Sequence, residues 1–162
     1  MTIRYFKDKG INPPKQKEQV LFSFIYPDLP PREWNPNKRF NRFAKHSAGV
    51  AAADRLRTTL ADIGVLCPNP NMKDFENGTD SEMFIDGPIP NPIIEISWGL
   101  PDRHARDWDN LVASMKPLLD RLVKLQFIKD DSVRDYTPRY LYFESPKDPK
   151  TIIKFIGLVD DD

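Results

Sequence analysis

The chain has few of the residues that build crosslinked or zinc-stabilised folds. Cys67 is the only cysteine among 162 residues, so no disulfide can form within the chain. His46 and His104 are the only histidines, and neither has a cysteine or histidine companion at zinc-ligand spacing. No apolar run reaches the roughly 18 residues needed to cross a bilayer, and the polar start lacks the apolar region of a signal peptide. We expect a soluble, cytoplasmic protein without a membrane partner.

Net charge is absent as well, because 24 basic residues balance 24 acidic ones. This balance argues against a general polyanion binder of the histone type. The charges are nevertheless unevenly placed: residues 1–57 carry 12 Lys and Arg against 5 Asp and Glu, whereas the rest carries 12 against 19. The front of the chain is basic and the back is acidic. The length fits one domain over residues 1–162 that buries its own core.

Hydrophobic patterning predicts a small mixed fold of the α+β class, with about four strands in a mixed sheet and two main helices. The predicted strands are residues 19–26, 93–98, 139–144 and 151–158, and the last two read as an antiparallel hairpin across a Pro-Lys-Asp-Pro turn.

One predicted helix starts at a Ser47 cap and runs through Ile63, and the other covers residues 110–125. Their expected buried positions are Val50, Ala53, Leu56, Leu60 and Ile63, then Leu111, Met115, Leu118, Leu119 and Leu122. Residues 1–18 read as an N-terminal arm, and residues 66–92, with five prolines, read as an irregular surface insertion.

A basic and aromatic segment spans residues 32–45. Its basic residues are Arg32, Lys38, Arg39, Arg42 and Lys45, and its aromatic residues are Trp34, Phe40 and Phe43. Such a mixture suits phosphates and unstacked bases. A solvated loop whose aromatic side chains anchor it to the core explains the pattern equally well, so both interpretations stay open.

Paired carboxylates are the most informative feature of the sequence. Asp107 and Asp109 are separated by one residue, so in an extended backbone both would point to the same side. A third carboxylate from the Asp130-Asp131 pair would complete a site of hard oxygen ligands, which Mg²⁺ prefers. The pattern predicts a magnesium site for phosphodiester chemistry. Trp108 should then point away from the ion, more as a core anchor than as a base-stacking residue.

Two other interpretations of this motif fit less well. An EF-hand loop beginning at Asp107 fails, because Leu111 stands where an oxygen ligand belongs and Leu118 where the closing glutamate should be. A manganese-dependent nucleotide-sugar transferase uses Asp-x-Asp, but the chain is short for one and has no Gly-rich phosphate loop.

The order of these motifs resembles the RusA-type Holliday junction resolvases, a family of crossover junction endodeoxyribonucleases. The matching motifs are Pro101-Asp102, the basic residues up to Arg106, Asp107-Trp108-Asp109-Asn110-Leu111, Lys116 on a helix, and Asp130-Asp131. Weaker similarity at Pro30-Pro31 and at residues 41–46 extends the resemblance over most of residues 20–158.

The resemblance implies a homodimeric, magnesium-dependent endonuclease that nicks two strands of a four-way DNA junction symmetrically, in recombination and repair and often in phage. It implies that Asp107, Asp109 and Asp131 bind the metal and act in catalysis together with Lys116, and that Mn²⁺ can substitute for the Mg²⁺ cofactor. Asp131 is preferred to Asp130 on this match alone. We assign DNA contacts to basic residues of the two segments, Arg39, Arg42, Lys45, Arg103 and Arg106. A branched-DNA-binding protein of the same fold that no longer cuts efficiently is the alternative.

The spacing of the lysine departs from the family. Relatives place it four residues after the second aspartate, whereas Val112-Ala113-Ser114 reads here as an insertion before Lys116. In a continuous helix these three residues would shift the lysine by about 4.5 Å and turn it by about 60°. If they instead lengthen a loop and Pro117 lies in the first helical turn, the usual register survives. We favour the second version.

Overall fold

The computed structural model describes residues 16–63, 65–66, 83–84, 88–103 and 106–160. The fold is mixed α+β, as predicted, and its main sheet has four strands. These strands are β1 (Gln16–Tyr26), β4 (Ile93–Leu100), β5 (Thr137–Glu144) and β6 (Lys150–Asp160), and they lie in the order β1-β6-β4-β5. β6 runs antiparallel to both β1 and β4, whereas β5 is parallel to β4.

Among the described residues, three α-helices pack with the sheet as two units, and a short 3-10 helix covers Arg32–Trp34. The first unit is α1 (Arg42–Asp62), and the second is the consecutive pair α2 (Trp108–Ser114) and α3 (Lys116–Lys124). Alternate residues of β4, namely Ile94, Ile96 and Trp98, are fully buried in one cluster with apolar residues of α1 and α3, such as Leu56, Leu60, Leu118 and Leu122. Burial of this apolar surface is the main stabilising contribution to the fold.

The intervening β4 position, Glu95, belongs to a charged row on the other face of the sheet. Its carboxylate forms salt bridges with Arg139 of β5 at 3.4 Å and with Lys154 of β6 at 3.6 Å. Arg139 also bonds Glu18 of β1, so carboxylates of two strands share one guanidinium. The sheet therefore has one apolar face and one face with charged groups that are paired.

The predicted hairpin between the last two strands is wrong, because β4 lies between β5 and β6. A direct hairpin would leave the backbone groups of the largely buried β4 without partners on one side. Residues 145–149 are long enough to pass over the end of β4, since two strand spacings are only about 9.6 Å. The Ser145 amide donates to the Leu100 carbonyl at 2.7 Å as the chain crosses.

The predicted start of the first helix is also wrong. Helix α1 begins at Arg42, and the side chain of Asn41 caps it by accepting a hydrogen bond from the Ala44 amide at 2.7 Å. Ser47 therefore lies inside the helix. Val50 and Ile63 were expected to be buried but are each 44% exposed, whereas Ala53, Leu56 and Leu60 are buried as predicted.

The two segments predicted to be irregular are described only in part. Gln16–Glu18, the end of the predicted arm, belong to β1, and residues 1–15 lie outside the described residues. In the predicted insertion, β2 (Val65–Leu66) pairs in parallel with β3 (Met83–Phe84), while residues 67–82 and 85–87 lie outside the described residues. In the part of the chain that the structure describes, no helix combines the length and the apolar character needed to cross a membrane.

Candidate active site

The first two aspartates of the motif lie at the start of α2. Asp107 is the N-cap residue with an extended backbone (φ −75°, ψ 130°), whereas Asp109 lies in the first helical turn. The prediction of one extended segment carrying both aspartates is therefore wrong for Asp109. The unpaired N–H groups and the positive dipole end of a helix favour carboxylates there, so local sequence drives the chain into a helix one residue after Asp107.

The carboxylates of Asp107 and Asp109 are exposed. The Asp107 side chain makes no capping hydrogen bond; only its backbone carbonyl is used, by the amides of Asn110 and Leu111 at 3.2 and 3.3 Å. Neither carboxylate forms a hydrogen bond or salt bridge with another residue in the described ranges. Both are thus available to a ligand.

Lys116 contacts the third aspartate. Its ammonium donates hydrogen bonds to the carboxylate of Asp120, at 2.7 Å, and to that of Asp131. The bonds to Asp120 and then Asp131 raise the pKa of Lys116 well above its usual range, and the bond from Lys116 lowers the pKa of Asp131. The ammonium is therefore a permanent cation between two carboxylates at neutral pH.

The lysine reaches this position through a break between two helices. Val112, Ala113 and Ser114 form the end of α2, Met115 separates the helices, and Pro117 lies in the first turn of α3. Proline is well placed there because it needs no N–H partner. The favoured prediction is confirmed for Pro117 but wrong for the three preceding residues, which lengthen a helix rather than a loop.

Asp131 is positioned by the turn that ends α3. Gln126 adopts a left-handed conformation (φ 62°), and the Phe127 amide donates to the Leu122 carbonyl at 3.0 Å, which is the geometry of a Schellman cap. Phe127 and Ile128 are then fully buried, and the chain returns toward the start of α3. Asp130 accepts a hydrogen bond from the Asp131 amide at 2.8 Å, so within the pair it is Asp131 whose side chain reaches Lys116.

Tyr136 lies close to this cluster. Burial, followed by Tyr140 and Asp131, raises the pKa of Tyr136 to about 12, so its phenol stays protonated at neutral pH. Tyr136 is half-buried and packs against the core.

The five predicted DNA-contacting residues divide into two groups. Arg39 and Arg42 are exposed and have no ion pair with another described residue, and the Lys45 ammonium lies 4.5 Å from the centre of the Trp34 ring. In contrast, Arg103 bonds Glu144 at 2.9 Å, and Arg106 bonds both oxygens of Asp102 at 2.8 and 3.3 Å. The two arginines nearest the aspartates are thus already neutralised.

The aromatic residues of the basic segment behave differently from one another. The indole N–H of Trp34 donates to the Lys45 carbonyl at 2.9 Å, and the ring packs so closely on α1 that a Cβ at Gly49 would lie 2.9 Å from that nitrogen. Phe43, by contrast, is 82% exposed. Trp34 anchors the segment, and Phe43 remains open to a partner.

A groove of about 720 Å³ joins the basic segment to the start of α2. We call it the Asp107 groove; the charged residues on its walls include Arg32, Glu33, Lys38, Arg106 and Asp107. The Asn37 side-chain amide donates to the Asn110 side chain at 3.1 Å across the two segments. This contact joins residues 73 positions apart in the sequence, and the two regions form one concave surface.

The predicted metal ligands match magnesium in donor type but are not gathered as one set. Carboxylate oxygens are what Mg²⁺ prefers. Within the described ranges, however, no three His, Cys, Asp or Glu side chains lie together as a possible metal-binding group, and Asp107, Asp109 and Asp131 are all within those ranges. Asp131 is held by Lys116, whereas Asp107 and Asp109 are uncommitted.

Two residues of the site were missed at the level of sequence. Asp120 lies four residues after Lys116 on one helix, and this spacing places oppositely charged side chains side by side, so it could have been found. The Arg103 partner Glu144 lies 41 residues away on another strand, and nothing in the local sequence indicates that pairing.

No family model matches the chain, and no curated protein matches it either.

Proposed function

We propose that this protein is a divalent-metal-dependent endonuclease that resolves four-way DNA junctions in recombination and repair, nicking two strands symmetrically as a homodimer. The contact between Lys116 and Asp131 carries the proposal, because it joins the two chain segments on which the resolvase resemblance depends. Both residues were assigned to one site from their sequence motifs alone.

The state of Lys116 suits a role as a fixed cation. Asp120 and Asp131 hold its ammonium in place and keep it protonated. A positioned positive charge stabilises the negative charge that grows on a phosphate during displacement. We therefore assign Lys116 to transition-state stabilisation and not to proton abstraction.

Magnesium, or manganese in its place, would be held by Asp107, Asp109 and Asp131. When bound, such an ion polarises the phosphate and lowers the pKa of a bound water. The uncommitted carboxylates of Asp107 and Asp109 favour this assignment. Asp131 would join the other two carboxylates only by moving toward them, because no three such side chains lie together in the described ranges.

The Asp107 groove is the proposed path of a DNA strand. Arg32 and Lys38 line it, and the exposed Arg39 and Arg42 extend the same basic segment. Lysine and arginine contacts to phosphates supply most of the affinity for DNA that does not depend on sequence. Arg103 and Arg106 would join these contacts only by exchanging their carboxylate partners for phosphate.

Cleavage of a labelled synthetic four-way junction tests the proposal. The wild type should make symmetric nicks with Mg²⁺ and none without it, and Asp109→Asn should abolish them. Asp62→Asn is a matched control, because Asp62 is an exposed aspartate at the far end of α1. Calorimetric titration with Mn²⁺ should show binding to the wild type and to the control, and weaker binding to Asp109→Asn.

Tight junction binding without cleavage in all three proteins would instead favour a branched-DNA-binding protein of this fold. Cleavage that persists in Asp109→Asn at the control rate would overturn the assignment of the site.

A further inference from the structure

Four aromatic side chains form a continuous group beside the candidate active site. Trp98 stacks on Tyr140 at 5.5 Å between ring centres, Trp108 lies 5.9 Å from Trp98, and Tyr142 meets Trp108 edge-on at 5.6 Å. Trp98 is fully buried, but Trp108 is 45% and Tyr142 64% exposed. The expectation that Trp108 serves mainly as a core anchor thus describes only its contact with Trp98.

The exposed part of this group borders a second cavity, of about 390 Å³, which we call the aromatic cleft. Trp108 and Tyr142 line it together with Asp102, Arg103, Arg106 and Glu144. Its size falls within the range of sites that hold one small ligand, roughly 300 to 1,000 Å³.

The charges around the aromatic cleft cancel. Arg103 pairs with Glu144 and Arg106 with Asp102, and all four residues line the cleft. A phosphate would find both guanidinium groups already compensated, whereas a neutral planar group meets no such cost. The carboxylates are also acceptors for exocyclic amino groups of bases, as Asp and Glu accept from cytosine in DNA complexes.

We propose that the aromatic cleft binds one unpaired nucleobase, stacked on Trp108 and Tyr142. Every base has an aromatic face, so stacking of this kind tolerates any sequence. The paired carboxylates and guanidinium groups at the cleft hydrogen-bond the edge of the base. Phosphates of the same strand are left to Lys38 in the Asp107 groove and to the exposed Arg39 and Arg42 of the basic segment; the groove wall shares Arg106 with the cleft.

The position of the cleft connects it to the proposed chemistry. Trp108 lies between Asp107 and Asp109 in the chain, so a base on its ring is next to the proposed metal ligands. Base pairs at a branch point lack the continuous stacking of a duplex, so taking one base out of its pair costs less there than inside a duplex. This placement rests on the proposed function, but base binding itself does not require cleavage.

The test uses a single-stranded oligonucleotide that contains 2-aminopurine, with the full-length protein in EDTA so that no strand is cut. Binding of the wild type should quench the 2-aminopurine fluorescence, because stacking on an aromatic ring quenches this base. Tyr142→Leu and Trp108→Leu should lose the quenching and weaken binding by roughly 5- to 150-fold, the range that corresponds to loss of one stacked base.

Leu141→Ala is the matched control. Leu141 precedes Tyr142 on β5, is 47% exposed and points to the opposite face of the sheet, so the control should bind and quench like the wild type. Tyr142 is the more exposed ring and lies on an edge strand, so its variant keeps the test valid if Trp108→Leu disturbs folding. A duplex oligonucleotide with a fully stacked 2-aminopurine should show little quenching.

Unchanged quenching in Tyr142→Leu, with thermal unfolding like that of the wild type, would overturn this inference. Quenching that depends on Tyr142 in a protein that cuts no junction would support the cleft and refute the proposed function. Junction cleavage with no effect of Tyr142→Leu on quenching or binding would leave the proposed function standing and refute the cleft alone.

Discussion

The ammonium of Lys116 donates a hydrogen bond to the carboxylate of Asp131, although 15 residues and the whole of α3 separate them in the chain. Lys116 is the first residue of α3, and the Schellman cap after Leu125 turns the chain back so that Asp131 lies beside that start. The contact therefore depends on where α3 begins and on the cap that ends it. A change at either end of α3 should alter the proposed site.

Replacing Asp120 should lower the pKa of Lys116. Asp120 is the stronger of the two partners that raise it, so in Asp120→Asn we expect the pKa to move down toward the ordinary lysine value of about 10.4. Titration of the Lys116 side-chain carbon resonances by NMR measures the change. Asp62→Asn, which removes a distant carboxylate of the same charge, should leave these resonances unaffected; an unchanged titration in Asp120→Asn would contradict the assignment.

The Asp131 carboxylate should make the free energy of unfolding depend on pH. Lys116 lowers the pKa of Asp131, so its contribution is present above the unfolded-state pKa of about 3.9 and is lost as the pH falls through the lower folded-state value. We expect the free energy of unfolding of Asp131→Asn to lie below that of the wild type near pH 7 and to approach it at about pH 3. Urea titrations at both pH values measure this difference. A gap that stays constant or widens in acid would show that the pair does not act as described.

Removal of the α1 cap should destabilise the protein. Asn41 satisfies the Ala44 amide, and loss of such a cap costs about 0.5 to 2 kcal/mol. Asn41→Ala should therefore unfold at a lower urea concentration than the wild type. Ser47→Ala is the control, since Ser47 is an exposed interior position of α1 where alanine is at least as favourable. A larger loss in Ser47→Ala than in Asn41→Ala would place the start of the helix at Ser47 after all.

Replacing Gln126 at the end of α3 with glycine should make the protein more stable. Gln126 holds a left-handed conformation that costs a residue with a Cβ about 1 kcal/mol or more, and glycine adopts it without that strain. We expect Gln126→Gly to raise the free energy of unfolding by about 0.5 to 1 kcal/mol. Gln126→Ala keeps the strain, so it should show no such gain. A Gln126→Gly variant that is less stable than Gln126→Ala, measured by urea titration, would mean that the turn is not strained.

Local patterns were sufficient for the four strands of the main sheet and for the two helical regions, because alternation of apolar residues and helical spacing depend only on neighbours in the chain. Residues 19–26 and 93–98 fall within β1 and β4, and the fold class follows from the strand and helix inventory. The position of Pro117 was predictable as well, since its ring fits only the first turn of a helix.

Competing local signals explain the errors at element ends. Asn41 and Ser47 are both good caps, and the choice between them depends on whether the first turns of α1 have something to pack against. The Trp34 ring on Gly49 supplies that contact, and it comes from outside the helix. Asp109 likewise lies in the first turn of α2, although its spacing from Asp107 was interpreted as the side-chain alternation of an extended strand.

The Asp-x-Asp motif selected Asp107 and Asp109 as candidates through the chemistry of carboxylates, whereas Lys116 and Asp131 were selected by the resemblance in motif order. Only the tertiary structure decided which of them meet. Strand order placed β4 between β5 and β6, since a buried strand needs backbone partners on both sides. That order put Tyr142 and Glu144 beside Trp108 and Arg103, and no local pattern reports contacts between segments so far apart.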